Sequence, residues 1–144
     1  MLIMEVVLNY WSVLGAVAAA IVLGTVWYGP LFGKQWMRIV GTTMGEMTHA
    51  ARQSMMRSYT ILAISVFVMA FVPAHALSFA SAVTDAEGVI ASVTTAIWVW
   101  LGFIVPPTLG PVLWENRPWK YWFIVSGYYL VSLILMSVIL TVWQ

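Results

Sequence analysis

The run YWFIVSGYYLVSLILMSVILTVW, from Tyr121 to Trp143, contains neither a charged residue nor a proline. Coiled as an α-helix rising 1.5 Å per residue it is about 35 Å long, enough to cross a hydrocarbon layer of about 30 Å. Working outward from it, three more runs of spanning length appear, from about Val6 to Tyr28, from about Arg57 to Phe79 and from about Asp85 to Val105. The expected fold is therefore all-α, a single transmembrane domain over residues 1–144 built as a four-helix bundle.

Composition agrees with this reading. Hydrophobic residues make up 62% of the chain and charged ones 8%, against roughly 25% charged in soluble domains. A soluble fold of this length would leave large apolar patches in water, whereas a bilayer accepts them. The nine tryptophans suit the membrane–water boundary, where indoles collect. There is no cysteine, which excludes disulfides, thiolate metal sites and cysteine nucleophiles. A net charge of +1 gives no reason to expect a nucleic-acid partner. No Lys or Arg precedes Lys34, so the first run lacks the basic start of a cleavable signal and is expected to be retained.

Several boundaries are written into the sequence. Gly29-Pro30 follows the first span and does not favour a continuing helix. Thr84 and Glu87 have capping-box spacing where the third span is expected to begin, and so do Thr43 and Glu46 in the first connection. Pro106-Pro107 is expected to break or kink the end of span three, with Gly110-Pro111 and Pro118 punctuating the next connection. Met44, Met47, Ala51 and Met55 share one helical face. They fit a short amphipathic interfacial helix between spans one and two, or equally a plain extension of the second span.

All six basic residues fall on one side. Lys34, Arg38, Arg52 and Arg57 lie between spans one and two, and Arg117 and Lys120 between spans three and four. The opposite side carries Glu5, Asp85 and Glu87. The positive-inside rule then makes both basic connections cytoplasmic and puts both termini on the non-cytoplasmic side. Gly29-Pro30 before Lys34 and Trp36, and Gly110-Pro111 before Arg117 and Trp119, are also compatible with a parallel repeat of two spans each.

Small residues mark packing faces. Ser12, Ala16, Ala20 and Gly24 recur every fourth residue, as do Ala70, Ala74 and Ser78; such ridges let backbones approach closely. They serve packing inside the bundle, or contact with a neighbouring subunit, and the aromatic content makes association with another copy or a membrane-complex partner an expectation.

Two polar clusters are candidate sites. On the basic side Trp27, Tyr28, Phe32, Lys34 and Trp36 meet Trp114, Glu115 and Arg117 if spans one and three are neighbours. Aromatic walls with cations and one carboxylate suit an anionic or amphiphilic ligand; the same residues also suit an aromatic belt with snorkelling cations. Glu115, an acid among bases, is expected to pair with Lys34 or Arg117. On the other side, His75 lies about 27 Å along the helix from Arg57. It is expected near Asn9, Asp85 and Glu87, either as a titrating or cation-binding group or as an interfacial histidine bonded to backbone. His49 is at the opposite end, so the two histidines do not share a metal. No catalytic motif, cofactor motif or metal-ligand spacing is visible.

Asn9-Tyr10-Trp11, Gly24, the stretch Trp27-Tyr28-Gly29-Pro30-Leu31-Phe32-Gly33-Lys34 and Trp36 together resemble the domain-of-unknown-function 1761 family. So do His75, Trp100-Leu101-Gly102-Phe103, Pro107-Thr108, Glu115-Asn116-Arg117-Pro118 and Gly127-Tyr128-Tyr129-Leu130. The resemblance implies a small four-span bacterial membrane protein, in the cytoplasmic membrane, and brings no activity or cofactor with it. Three functional expectations follow. The leading one is a non-enzymatic, oligomeric bundle that binds or passes a small neutral or amphiphilic solute; near-absence of charge at depth speaks against an ion. The others are an accessory subunit of a larger membrane complex, with ridges facing outward, and a membrane enzyme acting on a lipid-like substrate through Glu115, His49 or His75.

Overall fold

The computed structural model describes residues 9–41, 49–84 and 88–143. Glu5, Thr43, Met44, Glu46, Met47, Asp85 and Glu87 lie outside them. Among the described residues the chain is almost entirely helical. Helix α1 spans Tyr10–Val26 and runs into a π-helical turn, Trp27–Leu31; α2 is Gly33–Val40 and α3 is His49–Thr84. Helix α4, Val89–Val99, ends in a second π-helical turn, Trp100–Ile104, followed by α5 (Val105–Thr108), α6 (Gly110–Trp114) and α7 (Trp119–Val142). Four stretches are long and apolar enough to cross a membrane: Tyr10–Leu31, Thr60–Leu77, Val89–Trp114 and Trp119–Val142.

Several starts and stops have a local cause. The Asn9 side chain accepts hydrogen bonds from the Trp11 and Ser12 amides, which have no partner inside α1. Gly41, with φ 78°, ends α2 in the left-handed region and returns its N–H to the Met37 carbonyl. The described part of the expected interfacial helix, from His49 onward, is continuous with the second span. Thr84 is the last described residue of α3, its capping-box partner Glu87 lies outside the described residues, and Gly88, with φ 89°, precedes α4.

The third span runs further than its prolines suggest. Pro106 and Pro107 lack the N–H that would return to the preceding turn, and the chain accommodates this with a wider π turn just before them. Helix then resumes as α5 and α6, so that the apolar stretch reaches Trp114.

Helix α7 is the centre of the bundle. It packs on α1, α3 and α4, while α1 also packs on α3 and α3 on α4. The first and third spans therefore occupy opposite corners with α7 between them. This corrects the condition under which the two basic connections were expected to meet. The core gathers Val13, Ala16, Ala20, Val66, Ala70, Ala74, Met136 and Leu140. Ala16, Ala20 and Ala70 are 0% exposed, so the described residues of both small-residue ridges face inward, where close backbones maximise dispersion contacts. Helix α7 contributes buried serines at 126, 132 and 137. Their small size thins the helix where its neighbours press on it.

The two chain ends come together. The Asn9 amide nitrogen donates to the Trp143 carbonyl at 3.3 Å, and a Cβ built on Gly15 would lie 2.6 Å from the Trp143 ring. Both ends of the described chain thus lie at one end of the bundle, as an even number of crossings requires.

Candidate functional site

Val26-Trp27-Tyr28-Gly29 and Val99-Trp100-Leu101-Gly102 are the same four-residue pattern, and each tryptophan opens a π turn. The Phe32 N–H donates to the Trp27 carbonyl at 2.9 Å, and the Val105 N–H donates to the Trp100 carbonyl; both bonds close five residues back, the mark of a π turn. The widened turn aims each indole at α7. Trp27 Nε1–H donates to the Ile124 carbonyl at 3.0 Å and Trp100 Nε1–H to the Ser126 carbonyl at 2.9 Å. Span four is thus held from two sides by the same device. Gly29-Pro30 sits inside the first π turn, whereas Gly110-Pro111 opens α6; the like positions in the two halves are the tryptophans. A two-fold repeat of span pairs would send Trp100 to the second span, but both indoles reach the fourth.

Glycines make room for this docking. A Cβ on Gly127 would touch the Trp27 ring at 3.4 Å, and one on Gly24 would lie 3.1 Å from the Tyr128 hydroxyl. That hydroxyl reaches the Ala20 carbonyl at 3.4 Å. A Cβ on Gly33 would lie 2.6 Å from the Tyr28 carbonyl oxygen, so the reversal from the π turn into α2 needs glycine.

Beyond the turn, α2 folds back against the start of α7 and a series of rings results. Tyr28 lies 5.3 Å from Tyr128 and 5.0 Å from Trp36; Trp36 stacks on Tyr121 at 5.3 Å and 19°. Trp27 meets Phe32 at 4.8 Å. The Arg117 guanidinium stands 6.0 Å over the Tyr121 ring and donates from Nη1 to the Ile39 carbonyl at 3.0 Å. That carbonyl belongs to the last turn of α2, where a cation also meets the negative end of the helix dipole.

The Glu115-Asn116-Arg117-Pro118 segment makes this contact possible. Asn116 takes the left-handed conformation at φ 54°, which Asn tolerates better than most residues. The Glu115 and Arg117 amides both donate to the Pro111 carbonyl. The turn ends α6, swings Arg117 onto α2 and leaves Pro118 extended before α7.

The sequence-predicted residues therefore divide. Trp27, Tyr28, Phe32, Trp36 and Arg117 come together. Lys34 is exposed on α2, Glu115 is exposed, and Trp114 is 86% exposed. Arg117 takes a backbone carbonyl in place of Glu115, and among the described residues Glu115 forms no ion pair. Tyr121 joins the ring series and Trp100 docks on α7, although neither was a candidate site residue. The V-W-x-G echo was the available signal for Trp100; Tyr121 has none beyond its place one turn after Arg117.

At the other end Asn9 and His75 are satisfied locally. Asn9 caps α1 and ties down Trp143. His75 Nδ1 is 2.9 Å from the Phe71 carbonyl one turn back, with its ring 4.2 Å from Phe71. That arrangement puts the proton of the neutral ring on Nδ1. Asp85 and Glu87 lie outside the described residues. Among the described residues no three His, Asp or Glu side chains converge as metal ligands would.

Comparison with curated proteins and with solved structures gave no match. A family model described as "Protein of unknown function (DUF1761)" matches residues 11–141. That range takes in both indole-bearing turns, α2 and the Arg117 turn, so the chain belongs to the DUF1761 family.

Proposed function

We propose that this protein is a non-enzymatic binding bundle that takes a small amphiphilic solute at its basic end, on the shelf of rings between α2 and the start of α7. One observation carries the reading. Tyr128, Tyr28, Trp36 and Tyr121 form a graded run of half-buried rings that finishes at the Arg117 guanidinium. Ring faces offer apolar contact, and the guanidinium keeps hydrogen-bond donors beyond the one given to Ile39. Such a surface suits a molecule apolar at one end and polar at the other. The filled seam around Ala16, Ala20, Ala70 and Met136 favours binding at the end of the bundle over passage along that seam. Its inward-facing ridges speak against the accessory-subunit reading, which wants them outside.

The test is saturable binding of a dansyl-labelled zwitterionic lysolipid to the full chain in nanodiscs, read by energy transfer from tryptophan. Trp36→Ala and Tyr121→Ala are each expected to weaken binding about fivefold, the worth of one aromatic contact. Transfer that rises linearly with probe, alike in wild type and variants, would sink the proposal.

We also propose that the basic end is cytoplasmic, on the six-to-none division of Lys and Arg, and that the membrane is the bacterial inner membrane that the family resemblance implies. A reporter active only in the cytoplasm, fused after Gln144, is expected to stay silent. A bright signal would reverse the orientation.

A further inference from the structure

The shelf is bordered by cations that the ring series leaves unused. Lys34 and Arg38 are exposed and one helical turn apart on α2, which sets their Cβ atoms about 5–6 Å apart. Arg117 is tied to the carbonyl of Ile39, the residue after Arg38. Lys120 is exposed in the first turn of α7. The Arg117 bond and the stacking of Trp36 on Tyr121 thus bring two separate basic segments to one rim. Like charges held this close repel, and among the described residues no carboxylate is paired with any of these four cations. Beside the rim, Leu31, Leu113, Trp119 and Phe123 are exposed and apolar.

We infer that this rim is a specific seat for an anionic phospholipid. The lipid phosphate sits among Lys34, Arg38, Arg117 and Lys120, and its acyl chains lie against Trp119 and Phe123. Charge complementarity chooses the headgroup, and the adjoining apolar surface chooses a lipid over a free anion. The inference rests on the binding reading of this end of the molecule and names its ligand class.

The experiment uses the full chain in nanodiscs of phosphatidylcholine with one-fifth phosphatidylglycerol. Lipid retained after gentle release is counted by native mass spectrometry. Wild type is expected to retain phosphatidylglycerol far above its share of the bilayer. Lys34→Gln, Arg38→Gln and Lys120→Gln should each reduce that preference about fivefold, the effect of one cation beside an anionic headgroup. Arg57→Gln removes an exposed cation from α3 and should change it little.

Equal loss in Arg57→Gln would mean a diffuse basic belt and overturn the specific seat. Retention in proportion to bilayer composition would overturn it outright. Displacement of the lipid by millimolar inorganic phosphate would identify a free-anion site instead. The zwitterionic lysolipid separates this claim from the broader one: if the three variants bind it normally while losing phosphatidylglycerol, both stand. If wild type binds the lysolipid saturably but retains lipids indiscriminately, only the anionic seat falls.

Discussion

Ala20→Leu is expected to destabilise the bundle by about 3 kcal/mol, at the upper end for overpacking a filled core. Ala20 is fully buried in the cluster that joins α1, α3 and α7. A leucine there has no room unless α1 and α3 separate, and separation forfeits the contacts of Ala16, Ala70 and Ala74 together. Between apolar helices in lipid these dispersion contacts are a principal source of association, so nothing nearby compensates. Ala18, two residues earlier and exposed, supplies the control: Ala18→Leu should change stability by less than about 0.5 kcal/mol. Unfolding by sodium dodecyl sulfate in mixed micelles measures both. Equal midpoints for the two variants would mean that the seam is not tightly closed. Ala20→Leu with Ala70→Leu should cost less than the sum of the two, because the first substitution already opens the seam.

Trp27→Ala should cost about 3 kcal/mol in the same assay, as removal of a packed tryptophan does. The indole fills the space over Gly127 and hydrogen-bonds to Ile124. Trp27→Phe isolates the hydrogen bond and should cost about 1 kcal/mol. Trp100→Phe should cost the same, since its bond to Ser126 is of the same kind. The two acceptors are two residues apart on α7 and point to different neighbours, so the double Phe variant should be close to additive. Strong coupling between them would mean that the π turns act as one unit rather than as two separate clasps. Trp27→Ala should also weaken lysolipid binding, because Trp27 packs on Phe32 at the entrance to α2.

The crossings, the one-sided charge and the two small-residue ridges were legible because each depends on residue type and spacing alone. Ala16 and Ala20 needed only periodicity to be found. Which helix sits at the centre was not legible. Every span is apolar around most of its circumference, so hydrophobic pattern does not separate the face toward lipid from the face toward α7. For that reason the meeting of the two basic connections hung on spans one and three being neighbours, and those spans are opposite. Gly29-Pro30 marks a departure from α-helix in the sequence, and the structure shows that departure to be a π turn and not an ending. Proline reports a missing N–H and does not say whether the chain stops or widens by a residue. Glu115 misled for a simpler reason: charge suggested a partner for Arg117, while Asn116 set a backbone turn that delivered Arg117 to a carbonyl instead.

A π turn is a one-residue insertion that a helix has absorbed. An ordinary α-helix that loses one residue turns everything beyond the loss by about 100°. Removing the residue that the Trp27–Leu31 turn holds in excess instead lets that turn close as ordinary α-helix, and the residues beyond it keep their facing. Lys34 would stay exposed and Trp36 would stay against Tyr121. In sequences built on this plan, a one-residue gap between Val26 and Gly33 should therefore mark a plain helical turn, with the basic end arranged as it is here.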